Sequence, residues 1–225
     1  MINFVHRLKE IIRKHPLIYK IITFQRGRKT INGHSNRIYD NSLSLKGSII
    51  TIKGNNNIIE LEKNTILKNV VIDIQGNNHH LIIKSGVRIS EKGSIRFQDK
   101  NNAIEIGENT TIQSAKLVAS DNNNYIKIGN DCMFSSNIII RTGDGHSIID
   151  METGERINQS KSIQIGNHVW LSNGVNILKG VTIGDNSVIG THSIVTKNIT
   201  PESLAVGIPA KTIRHNINWT RERIN

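Results

Sequence analysis

Nine histidines, two tryptophans and one cysteine bound the chemistry open to this 225-residue chain. Three of the histidines, His146, His168 and His192, are spaced 22 and 24 residues apart. Histidines used this way either accept a proton, because imidazole titrates near neutral pH, or bind zinc. His146 lies in Asp144-Gly145-His146-Ser147-Ile148, inside the one stretch where the sequence loses its regular pattern. Taken alone, that placement fits a surface histidine better than a base. Trp170 follows His146 by 24 residues. His79 and His80 fall in an Asn-rich stretch and are expected to be exposed. The lone Cys132 excludes an intramolecular disulfide framework and any zinc-finger pattern, so a reducing compartment is allowed.

The elements that would carry these residues are repeats. Ile165, Leu171, Ile177, Ile183, Ile189 and Val195 recur every six residues, and Val169, Val175, Val181, Ser187 and Ser193 follow the first five at a distance of four. A weaker repeat precedes them. Asn-rich clusters at 55–57, 77–78, 101–102 and 122–124 are each followed by an apolar residue: Leu61, Ile83, Ile106 and Ile128. An α-helix needs apolar spacings of three and four. A fixed hexad instead fits coils of three short parallel strands, each aliphatic residue pointing inward onto the next coil. Asn suits the corners because it tolerates positive φ. A β-sandwich with regular turns is the plainer alternative, but it would not hold phase over six units.

Composition agrees. The chain has 42 Ile and 28 Asn but only 11 Leu, and β-branched side chains favour pleated strands over helix bundles. Nine aromatic residues are too few for a platform that stacks single-stranded nucleic acid. No uncharged apolar run is long enough to span a membrane as a helix, and no secretory signal is read at the N-terminus. The organisation expected is a basic, amphipathic helical segment over 1–40, an all-β solenoid over 41–200, and a tail over 201–225 with a short helix. Residues 141–162 interrupt the solenoid as an inserted loop. Loops on rigid scaffolds are where function is usually carried.

Residues 163–214, from Ile-Gln-Ile-Gly-Asn-His-Val-Trp to Val-Gly-Ile-Pro-Ala-Lys-Thr-Ile-Arg, together with the Asp144–Ile148 segment, resemble the hexapeptide-repeat acyltransferases. The subset they resemble is the O-acetyltransferases of bacterial capsule and surface polysaccharides, related to maltose and galactoside acetyltransferases. The resemblance implies a left-handed parallel β-helix and a homotrimer with active sites between subunits. It implies acetyl-CoA as the acyl donor and a sugar hydroxyl of a polysaccharide or oligosaccharide as the acceptor. On this footing His146 becomes the base that assists the attacking hydroxyl. Its orienting partner stays open among Asp144, Asp150, Glu152, Glu155 and a backbone carbonyl. The resemblance places Trp170 and Asp144 against the acceptor. It places Trp170, Ser172, Gly174, Lys179, Lys197, Pro209, Lys211 and Arg214 along coenzyme A, the last cations toward its phosphate. Each of these lysines fits a solvated face equally well. Hexapeptide carbonic anhydrases carry a close histidine pair that is missing here, so no metal is expected.

Other functions remain in view. One is N-acetylation of a nucleotide-linked amino sugar, and another is a non-catalytic β-solenoid that only binds. Nucleic-acid binding is disfavoured by where the charge lies. Of a net charge of +11, residues 1–30 hold eight basic side chains and one acidic. That segment also carries an apolar set from Ile2 to Phe24, so it reads as a membrane-surface helix or as a cap for the solenoid end. A cytoplasmic protein, peripheral on the inner face of the membrane, is the expected location.

Overall fold

An aliphatic residue at every sixth position builds a three-sided tube. The computed structural model describes residues 26–224. Within them 23 strands run from β1 (Arg28–Asn32) to β23 (Ala210–Arg214) and form three sheets of eight, seven and eight strands. The chain visits the three faces in rotation, so neighbours within a sheet are one coil apart. The first face starts with Arg28–Asn32, the second with Arg37–Asp40 and the third with Ile66–Leu67. All strand pairs are parallel except the last.

The hexad supplies one inward residue per face. Ile165 and Ile183 stack on the second face, Leu171 and Ile189 on the third, Ile177 and Val195 on the first, and none is more than 1 % exposed. The longer coils are in phase with the short ones. Leu61, Ile83, Ile106 and Ile128 stack in register on one another and then on Ile165. Coil separation of about 4.8 Å lets each aliphatic side chain cover the next, which is where the apolar stabilisation comes from.

The Asn clusters form the corner between the first and second faces. Asn56, Asn78, Asn101 and Asn123 all have φ near +60°, at 57, 59, 59 and 61°. Their amides bond along the stack, Asn78 Nδ2 donating to Asn101 Oδ1 at 3.0 Å and Asn101 Nδ2 to Asn123 Oδ1 at 2.9 Å. A second ladder runs inside it. The His79 N–H donates to Asn57 Oδ1 (2.9 Å), the Asn102 N–H to His79 Nδ1 (3.2 Å), and the Asn124 N–H to Asn102 Oδ1 (2.8 Å). His79 therefore occupies an asparagine's rung. It is 1 % exposed, contrary to the sequence expectation, and burial pushes its pKa down. His80 is half-buried, with Nε2 2.7 Å from Glu60 Oε1.

The ends also differ from expectation. The coils begin at Arg28 rather than 41, since Arg28–Asn32 pairs with Ile49–Lys53 and Arg37–Asp40 with Ile58–Leu61. The rest of the expected N-terminal helix, residues 1–25, lies outside the described residues. The expected C-terminal helix is absent from the described tail. Leu204–Gly207 and β23 form an antiparallel hairpin, and residues 215–224 run on without regular structure. Ala205 keeps the phase of the coil, stacking on Ile189 at 0 % exposure, so the tail starts as one more strand. No helix among the described residues is long and apolar enough to cross a membrane.

Candidate active site

Residues 142–162 leave the tube at the corner between the first and second faces, between β15 (Ile138–Arg141) and β16 (Ile163–Ile165). The insertion folds back on itself. The Ile157 N–H donates to the Ile148 carbonyl at 2.9 Å, and at the tip Asp150 Oδ1 accepts from the N–H groups of Glu152 and Thr153. Asn158, only 7 % exposed, ties the two limbs together. Its Nδ2 donates to Asp144 Oδ2 and to the His146 carbonyl, both at 2.8 Å, while its Oδ1 accepts from the Ile148 N–H at 2.8 Å. From the next coil Lys179 Nζ reaches Asp144 Oδ2 at 2.5 Å and the Asn158 carbonyl at 2.9 Å. The Lys179 bond, working against partial burial and helped by Asn158, holds the Asp144 carboxyl below the usual carboxylate range.

The result is a histidine with a fixed backbone and a free ring. His146 is exposed, and among the described residues nothing hydrogen-bonds its imidazole. None of the four carboxylates near it in sequence orients it. Asp144 is engaged by Lys179 and Asn158, Asp150 caps the loop tip, and Glu152 and Glu155 are exposed. Asn158 was not singled out by sequence, because an Asn in an Asn-rich chain carries no distinguishing signal.

Trp170 lies on another face. It opens β17 (Trp170–Leu171) on the third face, half-buried, with its ring 6.0 Å from that of Trp219. Trp219, 8 % exposed, stacks on His168 at 4.1 Å and 9°, and its Nε1 donates to the His168 carbonyl at 2.7 Å. His168 Nδ1 lies 2.7 Å from Asp131 Oδ2, and Arg221 Nη2 donates to Asp131 Oδ1 at 3.0 Å. Arg221 Nη1 continues to Thr111 Oγ1 at 2.8 Å. The C-terminal residues thus form a strap along the corner between the second and third faces. A groove of about 510 Å³ opens beside Trp170, lined also by Arg88, Thr111, Gln113 and Met133. Among the described residues no three His, Cys, Asp or Glu side chains gather as a metal site.

The hexads at 162–197 match the model of the bacterial transferase hexapeptide family, described as six repeats. Over 52 residues the chain is 60 % identical to the galactoside O-acetyltransferase of Escherichia coli K12, which is 23 % of this chain and 26 % of that protein. The match thus spans about a quarter of that relative's length. Two crystal structures match far more. The polySia-specific acetyltransferase NeuO is 34 % identical with a TM-score of 0.79, over 87 % of this chain and 89 % of that one. The polysialic acid O-acetyltransferase OatWY is also 34 % identical, with a TM-score of 0.81, over 87 % and 92 %. The chain belongs to the hexapeptide-repeat acetyltransferases, with their left-handed β-helix.

The remaining positions that family resemblance singled out fall into two groups. Ser172 and Gly174 turn the corner after Trp170. Gly174 has φ +72°, and a Cβ there would lie 2.3 Å from His192 Nδ1, so the ring of the following coil packs directly on its backbone. Lys197, Pro209, Lys211 and Arg214 are exposed at the C-terminal end of this hexapeptide-repeat acetyltransferase, the last three on or beside the terminal hairpin. Asp144, His146 and Lys179 are brought together by the loop; Trp170 and the hairpin cations are not part of that cluster.

Proposed function

We propose that the protein transfers the acetyl group of acetyl-CoA to a hydroxyl of a sialic-acid-type surface glycan. The observation that supports this most is the likeness to two polysialic acid O-acetyltransferases along nearly the whole chain. In this reading His146 takes the proton of the acceptor hydroxyl as its oxygen attacks the thioester carbonyl. The tetrahedral intermediate collapses, the sugar–acetyl bond remains, and the coenzyme A thiolate leaves with the proton from His146. Trp170 lines the acceptor and pantetheine channel, with Ser172 and Gly174 beside it. Lys197, Lys211 and Arg214 meet the coenzyme A phosphates.

His146 and Trp170 occupy different faces of one chain, so a complete site needs two protomers, and a threefold assembly supplies them. The enzyme acts in the cytoplasm, with residues 1–30 holding it to the inner membrane surface. Deleting residues 1–25, which stops short of the first strand, should abolish binding to anionic vesicles. The reading as a whole is tested by incubating the protein with acetyl-CoA and polysialic acid, or with a nucleotide-linked amino sugar. Thiol release and O-acetyl ester with the first acceptor are expected. Transfer only to the amine would replace this reading with N-acetylation.

A further inference from the structure

Arg141 is the last residue of β15, immediately before the loop that carries His146. Its side chain is half-buried. Its Nε is closed off from solvent without an acceptor, and among the described residues no hydrogen bond or ion pair engages the guanidinium. Three other arginines are paired: Arg96 on the coils with Asp73, Arg156 in the loop with Asp121 and Arg221 in the strap with Asp131. A partly buried cation without a counter-ion is costly, because it loses water and gains no partner.

Arg141 borders the reacting region. Its Nη2 lies 3.6 Å from the point where a Cβ on Gly145 would stand, beside the backbone that leads into His146. Gly145, at φ +88°, puts no side chain between them. Asp144 does not neutralise Arg141. Asp144 feels its charge, but bonds to Lys179 and Asn158 instead. Arg156, which also bonds Asn158, is paired with Asp121, so three cations and two carboxylates leave this cluster with a single positive charge. A guanidinium fork with one unmatched charge suits a carboxylate monoanion. The cations assigned to coenzyme A phosphates, Lys197, Lys211 and Arg214, are at the C-terminal end, coils away.

We propose that Arg141 binds the carboxylate of the acidic sugar unit that is acetylated, and so selects acidic over neutral acceptors. This rests on the reading of the site as acetyl transfer to a sialic-acid-type glycan. The test compares full-length wild type, Arg141→Gln and Arg141→Lys on polysialic acid and on the same polymer with its carboxyls reduced to alcohols. Arg141→Gln should raise KM for the acid polymer about 10- to 100-fold, the worth of one charge-assisted hydrogen-bonded contact. Its KM for acetyl-CoA should stay within about twofold, and Arg141→Lys should restore part of the loss. Wild type should show the same rise in KM on the reduced polymer, a readout that needs no variant to fold. Equal wild-type KM values on both polymers would overturn the proposal. So would a rise in the acetyl-CoA KM, which points to phosphate, or loss of oligomer mass in Arg141→Gln, which points to a neighbouring chain's carboxylate. If wild type acetylates no acidic glycan, the reading of the site falls, and this proposal with it. If it does so and Arg141 is indifferent, only the proposal falls.

Discussion

A general base has to meet its proton at hydrogen-bond distance, and for His146, the base proposed here, that position is set through the backbone. The imidazole of His146 has no orienting side chain among the described residues; its carbonyl is held by Asn158, which Lys179 and Asp144 hold in turn. Replacing His146 by Ala should lower kcat by roughly 10²- to 10⁴-fold, with the thermal midpoint nearly unchanged because the residue is exposed and its ring has no hydrogen-bond partner among the described residues; retained turnover would remove the base assignment. Asn158→Ala tests positioning. It deletes two donors and one acceptor at once, and misplacing the loop by about an ångström should cost roughly tenfold to a hundredfold in kcat. Hydrogen exchange over 144–158 should rise in the same variant, and kcat loss without faster exchange would argue against a positioning role. The sign of the acid response follows from Asp144. Its carboxyl is held below the ordinary 3.8 in the fold, so the Lys179 pin is fully formed above that value and is lost as pH falls through the lowered one. Loop exchange should therefore be flat between pH 7 and 5 once corrected for intrinsic rates. Loosening in that window would mean another group controls the pin.

At the scale of elements, what could be read from the chain and what could not are separated by sequence distance. The coils declare themselves because Ile165, Leu171 and Ile177 repeat locally, and along the hexads the stacked residue is three repeats on, as Ile183 is from Ile165. The inserted loop is visible as the place where that step fails. The strap is not visible. Its bonds join His168 to Trp219 and Asp131 to Arg221 across 51 and 90 residues, and no short window contains both halves. His79 escapes for another reason: an imidazole nitrogen accepts the ladder hydrogen bond that an asparagine oxygen accepts in the next coil, so chemistry rather than residue type is repeated. The strap supports Trp170 through Trp219. Trp219→Ala should remove the His168 stack and the indole hydrogen bond, costing the strap about 3 kcal/mol. Residues 215–224 should become sensitive to proteolysis and Trp170 fluorescence should shift toward that of an exposed indole. Unchanged protection of the tail would show that Arg221 alone holds it.

For the whole molecule, a solenoid gives each coil only two neighbours, so its parts are coupled in series. One chain can carry His146 and Trp170 on a rigid scaffold and still place them on different faces, as the strand order requires: the loop leaves between the first and second faces, while Trp170 opens a strand of the third. A rotation of 120° about a threefold axis can bring unlike faces of two identical prisms together, which no adjustment within one chain achieves. This has a consequence that separates a shared site from a single-chain one. His146→Ala and Trp170→Ala should each be nearly inactive as pure assemblies. Co-expressed in equal amounts and mixed at random, they should form some sites with an intact histidine from one chain and an intact tryptophan from its neighbour. Those sites need two independent choices, each with even odds, so about a quarter of wild-type turnover should return in the mixed assemblies. Mixing the two purified proteins without exchange of chains should return none. If the site were complete within one protomer, every chain in the mixture would lack one group, and turnover would stay at the level of the separate variants.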